Sequence, residues 1–296
     1  MELDALRAFV KVAEFASFTR ASEQLGLSKA RVSVLVGELE SEVGSRLLQR
    51  TTRAVRLTPS GEQFLVKASS LLAEADELAH MFQAPSTLRG SVRVDLPQTM
   101  ARTVVIPRLP EFLASHPGIE LFLSTTDRRV DLVREGFDCV LRVGKLLDSG
   151  LVARKLGSLP VINVASPSYL GKYGMPRTLA DLRRHLVVHY AANVRERPSF
   201  EYVEDGSTRE VPMRSLVTVN STDAYSAACL AGLGIIQAPR SGVAAGIRDG
   251  LLLEVLSQHT PEAMPVSLVH GYTRNVPKPV HAVMEWLSQV LRRHLE

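Results

Sequence analysis

Ser17-Phe18-Thr19-Arg20-Ala21-Ser22-Glu23-Gln24-Leu25-Gly26-Leu27-Ser28-Lys29-Ala30-Arg31-Val32-Ser33-Val34-Leu35-Val36 decides the fold of the first part of this 296-residue chain. Thr19 is placed to cap a short helix with Ala21 and Leu25 facing inward. Gly26 falls where the chain must turn sharply, a position that favours a residue free to take positive φ. Ser28 caps the next helix, Val32, Leu35, Val36 and Leu39 share its inner face, and Gly44 supplies its stop. Small Ser22, then Gly26, then Val32 at these spacings bring two helices into close contact, the pattern of a helix-turn-helix. A three-helix bundle with short loops is the alternative. Ala21, Leu25, Leu27, Val32 and Leu35 are the expected buried positions. Working back, Leu3, Leu6, Phe9, Val10 and Ala13 define a preceding amphipathic helix.

Working forward, Arg46, Arg50, Arg53 and Arg56 bring four cations with no acid between them. Val55 and Leu57 flank Arg56 at strand period, so 49–57 reads as a hairpin with Thr51-Thr52-Arg53-Ala54 at its tip. A β-wing beside a recognition helix would set Arg53, with Thr52 next to it, against a phosphate or in a minor groove; a merely solvated basic face is the other reading. The outward side chains at the start of the third helix are Lys29, Ala30, Arg31, Ser33 and Val34. Recognition helices read base edges with these N-terminal turns. Arg31 can donate two hydrogen bonds to a guanine, and Ala30 or Val34 can pack on a thymine methyl. Glu38, Glu40 and Glu42 lie farther along, where phosphate repulsion is weaker.

Thr58-Pro59-Ser60-Gly61-Glu62 is a helix start: a cap, proline at the first position and an acid in the first turn. Phe64, Ala68, Leu71, Ala75, Leu78 and Phe82 then recur in steps of four and three, a heptad seam broadened by Leu65, Leu72 and Ala79. Such a helix would be about 40 Å long and needs cover for its apolar stripe. Packing on its own domain and pairing with a second copy both supply it. Pairing would present two recognition helices to a palindromic site.

Residues 1–61 resemble the DNA-binding domain of LysR-type transcriptional regulators. The matching motifs are Leu6-Arg7-Ala8-Phe9, Ser17 through Ser22, Leu25-Gly26-Leu27-Ser28, Val32-Ser33, Leu39-Glu40, Gly44, Arg50-Thr51-Thr52-Arg53 and Leu57-Thr58-Pro59-Ser60-Gly61. The resemblance implies an all-α winged helix-turn-helix over 1–57 and a linker (dimerisation) helix and hinge over 58–89. It also implies a C-terminal α/β effector domain over 90–296, two-lobed like periplasmic binding proteins. Lobe I would span about 90–161 and 268–296, and lobe II about 162–267. Implied partners are promoter duplex DNA, a small-molecule effector, a second or further copies in a dimer or tetramer, and RNA polymerase. DNA contacts carry over to Lys29, Arg31, Ser33 and Arg53. The pattern departs at Val34, where the family commonly has a basic or polar side chain.

From residue 90 short apolar strands alternate with helices, as an α/β domain requires. Candidate strands are Ser91–Leu96, Ile119–Ser124, Asp138–Val143, Val161–Ala165, Val217–Asn220, Ile235–Ala238 and Val266–Val269, with crossings between lobes at 157–163 and 264–270. Asp138 through Gly144, Ala165 through Leu170 and Leu230 through Ile235 resemble further family signatures. Ligands of open α/β domains sit beyond the carboxyl ends of strands, where helix N-termini converge. That rule selects Gln98, Thr99, Met100 and Thr125 on one side, and Asn220, Ser221 and Thr222 on the other. Their hydroxyls and N–H groups suit a carboxylate, and an organic acid is the expected effector. Thr99, Ser221 and Thr222 serve equally as helix caps, and Arg142 is either a ligand partner or half of a structural ion pair.

Lys plus Arg number 35 against 31 acids, too small an excess to argue for nucleic acid without the clustering above. Cys139 and Cys229 lie far apart and read as core residues, which fits a reducing cytoplasm. No secretory signal or membrane span is visible, which argues against a secreted solute-binding protein. The histidines show no metal spacing, Gly232-Leu233-Gly234 lacks the third glycine of a dinucleotide loop, and no nucleophile elbow occurs. No cofactor, metal or catalysis is expected. An architectural DNA-binding protein without a ligand is the remaining alternative.

Overall fold

The computed structural model describes residues 1–50, 55–79, 88–146, 150–191, 197–272 and 276–295. Its N-terminal head holds α1 (Leu3–Phe15), α2 (Phe18–Leu25) and α3 (Lys29–Val43). Ser17, not Thr19, caps α2: its backbone is extended and its side chain accepts from the Arg20 backbone N–H. Thr19 lies inside the first turn, where its carbonyl accepts from the Ser22 hydroxyl. The two hydroxyl residues offered the same chemistry, and the extended backbone decided between them. Gly26 ends α2 at φ +65, and Ser28 caps α3 by accepting from the Arg31 N–H.

Val32, Leu35, Val36 and Leu39 close a core with Leu6, Phe9, Val12 and Ala21. Leu27 and Leu3 depart from the sequence expectation, at 39% and 44% exposed. Leu27 belongs to the turn itself, its N–H held by the Ser22 carbonyl, and Leu3 opens the first turn of α1.

β1 (Leu48–Arg50) and β2 (Val55–Leu57) pair antiparallel with Gln49 opposite Arg56, which makes the expected wing. Its tip, Thr51 to Ala54, lies outside the described residues. α4 (Pro59–Ala79) starts under Thr58, whose hydroxyl accepts from the Gly61 N–H at 3.0 Å and donates to the Arg46 carbonyl at 2.7 Å. Its apolar stripe divides. Leu65, Ala68 and Leu72 pack into the head core, and Phe64 meets Phe9 edge-on at 5.5 Å. Leu71 and Leu78 stay 40% and 67% exposed. Phe82 lies outside the described residues.

Beyond the linker, β3 (Arg89–Leu96) leads into α5 (Gln98–Met100), which runs on through further helical turns to α6 (Leu109–Ser115). β4 (Gly118–Thr125), β5 (Cys139–Val143) and β6 (Val152–Leu159) follow. The second lobe then comprises β7 (Val161–Ala165), α7 (Pro167–Tyr173), β8 (Leu186–Tyr190), β9 (Ser199–Glu204), β10 (Ser207–Pro212), β11 (Arg214–Val219), α8 (Thr222–Leu230), β12 (Ile236–Pro239), α9 (Arg240–Arg248) and β13 (Leu253–Glu254). β14 (Met264–His270) and α10 (Lys278–Arg292) return to the first lobe.

The first sheet runs β4-β3-β5-β14-β6, with β3 parallel to β4 and β5, and β14 antiparallel to both its neighbours. α10 covers it through Val280, Val283, Met284 and Leu287. The second lobe is built on β12-β7-β13 and the parallel pair β11-β8. One crossing is at Pro160, between β6 and β7. The return lies earlier than 268, because Met264 already pairs with Leu159 in the first sheet.

β6 escaped the sequence reading because Arg154, Lys155 and Gly157 break its apolar run. The β9–β10 hairpin was missed despite Asp205-Gly206 at its turn, both at positive φ (52° and 73°), the local signature of a two-residue connection. Among the described residues no helix is long and apolar enough to cross a membrane.

His185 is buried, and its Nδ1 lies 3.1 Å from the Tyr169 hydroxyl. Burial holds its pKa below the ordinary value of 6.5, and burial does the same at His270. At neutral pH both imidazoles are therefore uncharged in the fold, and on acidification the unfolded chain takes up protons before the folded one does. Stability from these groups is fully present above pH 6.5 and is lost on further acidification. His185→Gln should flatten the fall in thermal midpoint between about pH 7 and about pH 5. An unchanged slope would remove His185 from the acid response.

Candidate DNA-binding head and interlobe cleft

The inner face of α3 is fixed by the head core, so its outer face follows from helical spacing. Ala30 and Val34 stand outermost, with Val34 47% exposed and Gly37 one turn on. Lys29 and Arg31 are exposed beside them in the first turn, and Ser33 is half-buried on the flank. The outer strip is thus small and uncharged, with cations at its N-terminal end. Arg46 and Arg56 are exposed on the adjoining wing. Thr52 and Arg53 lie outside the described residues.

Glu40 does more than the sequence reading allowed. Its Oε1 accepts from the backbone N–H groups of Leu47 at 2.8 Å and Leu48 at 2.9 Å, tying the recognition helix to the first wing strand. The signal for this was slight, an acid seven positions before Leu47 and eight before Leu48. Glu42 accepts an ion pair from the N-terminal ammonium at 2.6 Å, which neutralises another acid on α3.

In the cleft the structure brings part of the expected set together. Thr99 Oγ1 and Thr222 Oγ1 are 3.0 Å apart across the lobes. The Gln98 side chain donates to Asp223 at 2.9 Å. Ser221 caps α8 by accepting from the Ala224 N–H. Thr125 and Asn220 are exposed at the ends of their strands. Met100 is not at the cleft: it is 7% exposed and packs in the first lobe's core with Val104 and Val105.

Arg142 takes the ion-pair alternative. Its Nη1 lies 3.4 Å from the fully buried Asp95, and its Nη2 donates to the Val130 carbonyl at 2.7 Å. Burial raises the Asp95 pKa, and hydrogen bonds and the Arg142 charge oppose that rise. The residue that sequence reading missed is Asp127. Its carboxylate accepts from the Gln98 N–H at 3.2 Å, the Thr222 N–H at 2.6 Å and the Thr222 hydroxyl at 2.8 Å.

Family models match both parts of the chain. The model described as "Bacterial regulatory helix-turn-helix protein, lysR family" covers residues 3–62, and "LysR substrate binding domain" covers 85–292. The chain belongs to the LysR family of transcriptional regulators. The HTH-type transcriptional regulator YhjC of Escherichia coli is 41% identical over 297 residues, spanning 100% of this chain and 99% of that protein. The HTH-type transcriptional activator AaeR of Escherichia coli is 34% identical, over 97% and 93% of the two chains.

Among solved structures, the LysR-type regulator CrgA of Neisseria meningitidis aligns with a TM-score of 0.61 at 28% identity, covering 98% of each chain. ArgP of Mycobacterium tuberculosis, at 19% identity, shares the fold with a TM-score of 0.69 over 98% of this chain and 97% of its own. As a LysR-type transcriptional regulator the chain carries a DNA-binding head and an effector-binding domain, and it is not an enzyme.

Proposed function

We propose that this LysR-type regulator binds a promoter duplex as a two-fold dimer or a tetramer, with α3 in the major groove and the wing along the adjacent backbone. The observation that carries this reading is the outer face of α3. Ala30, Val34 and Gly37 leave room for close approach to the groove floor, while Arg31 reaches a base edge. Lys29, Ser33, Thr52 and Arg53 supply the remaining contacts, chiefly to phosphates. Val34 packs on a thymine methyl where many relatives of this type would place a hydrogen bond.

Leu71, Ala75 and Leu78 supply the surface for a second copy, since the other half of the stripe is already used by the head. The effector is a small organic acid held between Gln98, Thr99 and Thr125 of one lobe and Asn220, Ser221 and Thr222 of the other. Its binding would act by favouring one lobe arrangement over another. The protein works in the cytoplasm, where RNA polymerase is a further partner at the promoter.

Two substitutions separate the DNA roles. Arg53→Ala should weaken binding to every duplex and reduce the slope of log K against log salt by about 1. Arg31→Ala should instead cost about 1–3 kcal/mol at one base position and relax preference there. Fluorescence anisotropy over a panel of single-base operator variants reads both. A uniform loss for Arg31→Ala would remove it from base reading, and an unchanged salt slope would remove Arg53 from the phosphates.

A further inference from the structure

Asp127 follows β4 in the first lobe, yet its carboxylate is bonded to the first residue of α8 in the second lobe, 95 positions away. One oxygen takes the Gln98 N–H, and the other takes both the N–H and the hydroxyl of Thr222. Each of these bonds is charge-assisted, and the α8 end adds the positive pole of a helix. Among the described residues, the other links across this part of the cleft are Thr99 to Thr222, Gln98 to Asp223, and Arg102 to Asp223 at 3.4 Å. Two of them end on Asp223, which is exposed, so solvent weakens them. The donors on Asp127 come from both lobes and already hold a carboxylate in position. They are the groups that an acidic ligand would need.

We propose that Asp127 is a tethered carboxylate filling the interlobe anion slot, so that a free small carboxylate binds there only once Asp127 is displaced. The inference rests on reading this cleft as the effector site; it does not require the natural effector to be an acid. The slot prefers an oxyanion of carboxylate size, because two backbone N–H groups and one hydroxyl converge on two oxygens. It also gives the protein a closed lobe arrangement held by its own side chain, which an effector must outcompete.

Full-length Asp127→Ala in sodium acetate, against sodium chloride at equal ionic strength, tests this. In chloride the variant should melt at least about 4 °C below wild type, since the three charge-assisted bonds of Asp127 are lost together. Acetate should restore the midpoint saturably, with an apparent affinity at least about tenfold above wild type's, whose slot is full. Recovery of folded variant only from acetate buffer is the same rescue.

Asp127→Asn and Thr222→Val provide a second reading. The double variant should lose less than the sum of the two single losses, because the Asp127–Thr222 bond is counted in both, while the Thr99–Thr222 contact adds its own cost to Thr222→Val. An Asp127→Ala midpoint indifferent to acetate, or additive losses in the double variant, would overturn the proposal. Acetate rescue would stand even if the natural effector proved to carry no acid group. Loss of rescue would leave the organic-acid reading to its own ligand titration.

Discussion

Gly61→Ala should cost the DNA-binding head about 3 kcal/mol and most of its operator affinity. A Cβ at this position would stand 2.0 Å from the Leu47 carbonyl oxygen and 2.9 Å from its carbon. Both atoms are backbone, so no rotamer change relieves the contact. Leu47 is also pinned from two other directions. Its carbonyl accepts from the Thr58 N–H at 2.9 Å, and its own N–H is held by Glu40.

Recognition helix, wing and linker helix therefore meet at one peptide, and alanine pushes the linker off it. Gly37→Ala is the control. It lies in the same head, inside α3, with nothing within 4 Å of an added Cβ, and should gain about 0.5–1 kcal/mol from helix propensity. Thermal and urea denaturation of the two variants should move in opposite directions. A Gly61→Ala protein as stable as wild type would contradict the packing described for this junction.

Arg142→Leu should be nearly as damaging in the effector domain. It leaves the Asp95 carboxylate, with 0% of its side chain exposed, without its cation, a change that costs about 3–5 kcal/mol when one member of a buried pair is removed. The Thr126 hydroxyl, which donates to Asp95 at 3.2 Å, does not replace a charge. Burial already raises the Asp95 pKa, and losing Arg142 raises it further.

The folded variant then binds a proton that the unfolded chain releases, so the penalty is largest at neutral pH. It shrinks as acidification carries the pH down through the folded value. The difference from wild type in urea melts should narrow from about pH 7 to about pH 5, and Asp95→Asn in the same chain should restore most of the loss. A pH-independent difference would mean that Asp95 is not carrying the charge.

What could be read in the sequence was what is local. Gly26, Ser28, Gly44 and Thr58-Pro59 each impose a backbone condition on their immediate neighbours, and the helix-turn-helix and linker start follow from them. The cap of α2 is Ser17 and not Thr19, and composition cannot say which of two nearby hydroxyls has the extended backbone. Asp205-Gly206 was equally local, and its turn chemistry marked a hairpin that the reading passed over.

The cleft was legible only by rule. Strand ends pointed to Gln98, Thr99 and Thr222, which do meet, and to Met100, whose turn of helix faces the core. Asp127 carried no signal, because its role exists only once two lobes, far apart in the sequence, are closed upon each other. Glu40 and Gly61 sat within recognised motifs, yet their functions are contacts to Leu47 and depend on three elements meeting.

The most direct measurement is the affinity of purified wild-type protein for the duplex upstream of its own gene, against a shuffled duplex of equal length, across a salt series. A groove-reading α3 flanked by a cationic wing predicts tighter binding to the native duplex at every salt concentration. It also predicts a steep linear fall of log K with log salt for both. Equal affinity for the two duplexes, or binding that ignores salt, would contradict it.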